Sequence, residues 1–121
     1  MSDRTIGILG LGIFGSSVLT ALAKQDMNII AIDDHAEHIN QFEPVLARGV
    51  VGDITDEELL RTAGIDTCDT VVVATGENLE SSVLAVMHCK SLGVPRVIAK
   101  VKSQTAKKVL EKIGADSVIS P

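Results

Sequence analysis

The residues best suited to chemistry lie at the start of the chain, where Thr5-Ile6-Gly7-Ile8-Leu9 runs into Gly10-Leu11-Gly12-Ile13-Phe14-Gly15. A short apolar strand, then Gly-x-Gly-x-x-Gly, then a helical pattern is the order of a dinucleotide-binding turn. Gly10 allows the tight turn, Gly12 lets backbone N–H groups approach a pyrophosphate, and Gly15 lets the helix pack closely on the sheet. The phosphates then rest on the helix N-terminus, where unpaired N–H groups and the positive end of the dipole attract anionic oxygens without a lysine. A second strand, Asn28 to Ile32, ends in Asp33, where a carboxylate that accepts ribose hydroxyls is expected. Asp33 repels a 2′-phosphate and Asp34 adds to that repulsion. The expected ligand is therefore an adenosine nucleotide or NAD, and not NADP.

Open α/β sheets bind ligands beyond the carboxyl ends of their strands, and three further stretches reach that edge. In Gly52-Asp53-Ile54-Thr55, Asp53 can hydrogen-bond an adenine amino group or ribose, and Ile54 can wall the base; the other reading of Asp53 is a turn residue bonding its own backbone. Thr75-Gly76-Glu77-Asn78 either touches ligand through Thr75 and Gly76 or serves as the helix cap through Asn78. Lys100, ending a fifth strand, reaches phosphates or a neighbouring subunit, or is solvated. His35 and His38 read as surface histidines with no third ligand nearby. His88 and Cys89 make a poor chelate, because adjacent helical positions face about 100° apart. Cys68 and Cys89 lack Cys-x-x-Cys spacing and read as free, buried thiols of a reducing compartment. No metal constellation, catalytic triad, paired carboxylate or phosphate-loop motif is evident, so binding without turnover is expected and no catalytic residue is assigned.

The elements that must position these groups alternate between β-rich and helical runs, the pattern of a Rossmann-like, doubly wound, mostly parallel α/β sheet of about six strands with helices on both faces. After Asp33 a helical segment spans Ala36 to Arg48, interrupted by Pro44. A third strand at Val50-Val51 precedes a helix that starts at Asp56 behind a Thr55–Glu58 capping box and ends near Gly64. Thr70 to Ala74, apolar on both faces, reads as a central parallel strand. A helix from about Glu80 to Leu92 carries Val83, Leu84, Val86 and Met87 as its apolar positions. Arg96 to Val101, a helix from Thr105 to Ile113 capped by Gly114, and Ser117 to Ile119 complete the set. The 121 residues make one domain, 1–121, too short for a nucleotide-binding half plus a catalytic domain. A net charge of −5, with Phe14 and Phe42 the only aromatic residues, argues against a nucleic-acid surface. No apolar run nears the ~20 residues of a membrane helix, and Met1-Ser2-Asp3-Arg4 lacks a signal peptide, so a cytoplasmic protein is expected.

In Gly10-Leu11-Gly12-Ile13-Phe14-Gly15, Ala31-Ile32-Asp33, Gly52-Asp53-Ile54-Thr55, Val72-Val73-Ala74-Thr75-Gly76 and Val109-Leu110-Glu111-Lys112-Ile113-Gly114-Ala115-Asp116, the chain resembles the TrkA-N type, the nucleotide-binding N-terminal half of RCK (regulator of K⁺ conductance) domains. Such domains occur in cytosolic subunits of Trk/Ktr-type potassium uptake systems. The resemblance implies an adenine nucleotide ligand (ATP, ADP, AMP, NAD or NADH) and homodimers that assemble into rings. It also implies regulation of a membrane cation-translocating partner, with the domain peripheral at the inner membrane face and its C-terminal RCK subdomain absent from this chain. Carried over, Gly10, Gly12 and Gly15 line the phosphates, Asp33 the ribose, and Asp53 and Ile54 the adenosine end. Many members place Arg where Ile13 stands, to reach the terminal phosphate of a nucleotide held by the dimer partner. Ile13 cannot, which favours a dinucleotide or AMP. The alternatives are an NAD-binding half of a dehydrogenase and a nucleotide sensor of another cation transporter.

Overall fold

The computed structural model describes residues 4–75 and 78–120, so Gly76 lies outside the described residues. The elements run β1 (Thr5–Leu9), α1 (Ile13–Leu22), β2 (Asn28–Asp33), α2 (Ala36–Phe42), β3 (Arg48–Val51), α3 (Glu57–Ala63), β4 (Thr70–Val73), α4 (Leu79–Ser91), β5 (Arg96–Lys100), α5 (Gln104–Lys112) and β6 (Ser117–Ile119). They build one sheet in the order β3-β2-β1-β4-β5-β6, with every described pairing parallel. Leu9 pairs with Ile32 on one side and Val73 on the other, so the chain winds outward in both directions from β1 and β4.

The period-2 alternation of each strand sorts its side chains between two cores. Ile8, Ile29 and Ala31 pack with Leu19 of α1 and Ile39 of α2. Leu9, Ile30, Ile32, Val71, Val73, Val97 and Ala99 pack with Leu60 of α3, Ala85, Val86 and Cys89 of α4, and Leu110 of α5. Leu19, Leu60 and Leu110 are fully buried, and each such side chain contributes roughly 1.5–3 kcal/mol by leaving water. An aliphatic core of this kind needs no aromatic residue at its centre.

Local chemistry sets the element ends and moves several from their expected places. α1 starts inside the glycine motif, at Ile13. The helix from Ala36 stops at Phe42, a 3-10 turn over Glu43–Val45 absorbs Pro44, and Arg48 belongs to β3. The cap of α3 is Asp56, which accepts the Leu59 N–H, and not Thr55, whose hydroxyl is turned to Asp53. Gly64 follows α3 at φ +94°, a left-handed conformation that stops the helix. Ser103 caps α5, and Asn78 caps α4 through the Ser81 N–H. α4 buries Ser82, Ala85, Val86 and Cys89, whereas Met87 is half exposed. The sheet-facing stripe is therefore small and partly polar, and the Ser82 hydroxyl donates to the Thr75 carbonyl at 3.0 Å. No helix among the described residues is long and apolar enough to cross a membrane.

Candidate functional site

The point where the winding reverses, between the carboxyl ends of β1 and β4, opens into a cleft of about 720 Å³. Its floor is the glycine turn. Gly10 sits at φ +98° and donates its N–H to the Ile32 carbonyl at 2.9 Å. A Cβ on Gly15 would overlap the Gly10 carbonyl oxygen and meet the Ala74 Cβ at 3.2 Å, so α1 lies against the turn only because position 15 is glycine. Gly15 is buried and packs the helix without lining the cleft; Gly10, Gly12, Ile13 and Phe14 do line it. A Cβ on Gly12 would have nothing within 4 Å, so that position faces open space. Gly12 is also the N-cap of α1, which has no side-chain cap, and the helix presents its first-turn N–H groups to the cleft.

Against the turn stands Asp33, 6% exposed at the end of β2. Its Oδ2 accepts the Leu11 N–H at 2.7 Å, and its Oδ1 accepts the His35 N–H at 2.8 Å and lies 3.0 Å from His38 Nδ1. Burial raises the pKa of this carboxyl, but the two backbone N–H groups and His38 outweigh it and hold the group below its ordinary value. Asp33 is thus an ionised acceptor at the mouth of the phosphate turn. Asp34 is exposed and lines the same wall, with Oδ1 2.7 Å from His35 Nδ1; its charge raises the pKa of that imidazole.

The expectation that His35 and His38 have no third ligand nearby is overturned. The chain turns back over the end of β2, so Asp33 stands within 3.4 Å of both rings, and both histidines line the cleft. The far wall carries Gly52, Asp53 and Ile54. Asp53 Oδ1 accepts both the Thr55 N–H at 2.8 Å and its hydroxyl at 2.7 Å, which lowers the pKa of the carboxyl, so one oxygen serves the turn. Thr75, Ser81, Lys100 and Lys102 close the remaining side, with Lys100 Nζ 5.4 Å from the centre of the Phe14 ring. Sequence reasoning singled out Lys100 but missed Ser17, Ser81, His35, His38 and Lys102. Lys102 lies two residues past Lys100 and Ser17 one helical turn past Ile13, and those offsets were the available signals.

His88 and Cys89 part company as expected. His88 Nε2 lies 2.9 Å from the Thr55 carbonyl, while Cys89 is buried in the core with Cys68. Burial pushes each thiol to a pKa of about 12.

Comparison with known proteins agrees with this architecture. Residues 6–121 match the TrkA-N domain. The chain is 36% identical over 118 residues to Ktr system potassium uptake protein C of Bacillus subtilis, covering 98% of this chain and 53% of that protein. It thus spans about half the length of the curated relatives it matches. The TrkA-N domain of the Escherichia coli inner membrane protein ybaL has the same fold, with a TM-score of 0.87 at 16% identity, over 99% of this chain and 88% of that one. The RCK domain of GsuK superposes with a TM-score of 0.80 at 25% identity, over 99% of this chain and 26% of that one, and GsuK structures with NAD and with ADP bound share the fold. With a match over nearly its whole length, and with the glycine turn and the strand-end carboxylate lining one cleft, the chain belongs to the TrkA-N family.

Proposed function

We propose that this domain is a nucleotide-sensing regulatory module of a potassium uptake system, without catalytic activity. One observation carries the reading: the uncapped N-terminus of α1 and the ionised Asp33, joined through the Leu11 N–H, stand side by side in one cleft. The first suits a phosphate and the second a ribose diol. The bound NAD and ADP of GsuK and the potassium uptake role of the Bacillus protein support the ligand class and the setting. Adenine nucleotides and NAD(H) are the ligands, with NADP disfavoured by Asp33 and Asp34. Ile13, 92% exposed at the start of α1, has an aliphatic side chain that cannot pair with a terminal phosphate held by a dimer partner, which favours NAD or AMP over ATP.

The mechanism is a population shift. The domain works as a homodimer within a larger ring at the cytoplasmic face of the membrane. Different nucleotides hold two geometries of that assembly with different affinity, and only that difference can bias a cation-translocating partner. A second reading, a nucleotide sensor attached to another membrane protein, is favoured by the fold shared with the ybaL domain.

Titration calorimetry with ATP, ADP, AMP, NAD, NADH and NADP, repeated on Asp33→Ala, tests the ligand reading. Binding that weakens at least tenfold on substitution, with NADP weakest, is expected. Failure of all six to bind refutes the nucleotide reading of the cleft. Solution scattering of the parent protein with each nucleotide tests the switch, and superimposable profiles for all nucleotides that bind would sink it.

A further inference from the structure

We propose that Asp33, His35 and His38, with Asp34 beside them, form a site for a borderline divalent metal ion of the zinc or cobalt class. The donor atoms of the first three all lie within 4.8 Å of one another. His38 Nδ1 is 3.0 Å and His35 Nδ1 3.4 Å from the same oxygen, Asp33 Oδ1, and His35 Nδ1 is 2.7 Å from Asp34 Oδ1. With metal–ligand bonds of roughly 2.0–2.1 Å, neighbouring ligands of a tetrahedral ion stand about 3.3 Å apart and those of an octahedral ion about 2.9 Å apart. The measured separations bracket those values, so small side-chain rotations bring the donors around one ion.

A carboxylate oxygen has two lone pairs directed in its plane, and Asp33 Oδ1 already meets two donors, the His35 N–H at 2.8 Å and His38 Nδ1. The His35 Nδ1 pairs with Asp34 Oδ1 at 2.7 Å and also stands 3.4 Å from Asp33 Oδ1, with its ring 5.0 Å from that of His38, so both imidazoles bring an Nδ1 to one pair of carboxylates. Two imidazole nitrogens and a carboxylate select zinc, cobalt or nickel over magnesium or calcium, which prefer all-oxygen shells. Asp33 is buried and anchored by the Leu11 N–H, whereas both histidines are accessible, so an ion can enter from the cleft side without unfolding the strand end. The metal reading rests on these four side chains and does not require that a nucleotide bind.

The test uses nucleotide-free protein near neutral pH in a non-chelating buffer, titrated with zinc chloride by calorimetry and with cobalt chloride by visible absorption. The variants are the double His35→Asn/His38→Asn and, as a control on a histidine elsewhere, His88→Asn. Asparagine keeps a donor near the Nδ1 position, so the hydrogen bond to Asp33 survives while the imidazole ligand is lost; equal melting curves confirm the fold. Expected are one zinc per chain, a loss of affinity in the double variant beyond the roughly 10–100-fold that removing a mere supporting group causes, and unchanged binding in His88→Asn. Cobalt should give d–d bands that the double variant lacks. Absence of saturable zinc binding, or zinc binding equal in the wild type and the double variant, overturns the proposal.

Discussion

Placing one methyl group at either of two glycines three residues apart should separate folding from binding. A Gly15→Ala methyl meets the Gly10 carbonyl oxygen at overlap distance, the Gly10 carbonyl carbon at 3.0 Å and the Ala74 Cβ at 3.2 Å. Two of those atoms are backbone, so relief requires α1 to lift from the turn. Overpacking of that kind costs typically 1–3 kcal/mol, occasionally more, and a backbone-limited case belongs at the upper end, about 3 kcal/mol. For a domain of this size, 1 kcal/mol shifts the melting temperature by roughly 3–5 °C, so Gly15→Ala should melt about 10–15 °C lower. Gly12→Ala meets nothing within 4 Å, and its backbone, at φ −71° and ψ −158°, is open to any residue. Its stability should stay within about 1 kcal/mol of wild type, since the poorer N-cap and the stiffer unfolded chain offset each other. On the proposed nucleotide reading the methyl would stand in the path of a pyrophosphate, and nucleotide affinity should fall about tenfold or more, equivalent to about 1.4 kcal/mol. Thermal denaturation followed by circular dichroism, with calorimetric titration of NAD and ADP, reads both effects. A Gly15→Ala protein as stable as wild type, or a Gly12→Ala protein that loses stability and keeps affinity, would refute the division of labour within the motif.

Asp33→Asn leaves one acceptor oxygen for the Leu11 and His35 N–H groups, and charge-assisted bonds of this kind contribute about 1.5–3 kcal/mol. The urea midpoint should drop accordingly with an unchanged m-value, and an unchanged midpoint would show that the carboxylate does not staple the turn. The Asp116 carboxyl is held below its ordinary pKa, first by the Val97 N–H and then by Lys90, despite the opposing effect of burial. A folded-state pKa below the unfolded one stabilises above the unfolded value and is lost as pH falls through the folded one. The melting temperature of Asp116→Asn should therefore lie below that of wild type at neutral pH and converge on it below about pH 4. A gap that persists in acid would count against this. Cys68 and Cys89, with pKa values pushed to about 12 inside the core, should ignore a disulfide reagent in the native state and react fully in urea. Rapid native labelling would contradict the packing.

Most of this architecture was legible because its determinants are local. The run from Thr5 to Gly15, the acid at the end of β2 and the continuous apolar β4 each announce themselves within a few residues, and the ligand-facing edge follows from their order. The readings that missed depended on contacts between distant segments. Ser82 and Ala85 make up the buried stripe of α4 because the helix lies close to β4, a fact that hydropathy of the helix alone does not carry. His35 and His38 looked isolated because their partner sits on the strand before them and meets them only after the chain reverses. Capping at α3 went to Asp56 over Thr55 because Asp53 had already engaged the Thr55 hydroxyl, a competition settled in three dimensions.

The staple between Asp33 Oδ2 and the Leu11 N–H joins the end of one strand to the turn that follows another, and the Ser16 hydroxyl, bonded to the Leu11 carbonyl at 2.8 Å, closes the same loop from the helix. The glycine turn and the Asp33 carboxylate thus form one prefabricated unit, shaped before any ligand arrives. Such a receptor loses little conformational freedom on binding. On the nucleotide reading proposed above, it would grip the phosphate and ribose that adenine nucleotides share, and its carboxylate would select only against a 2′-phosphate. Discrimination among the remaining nucleotides would then fall to groups outside the staple, such as Lys100 at the end of β5 and Lys102 just past it.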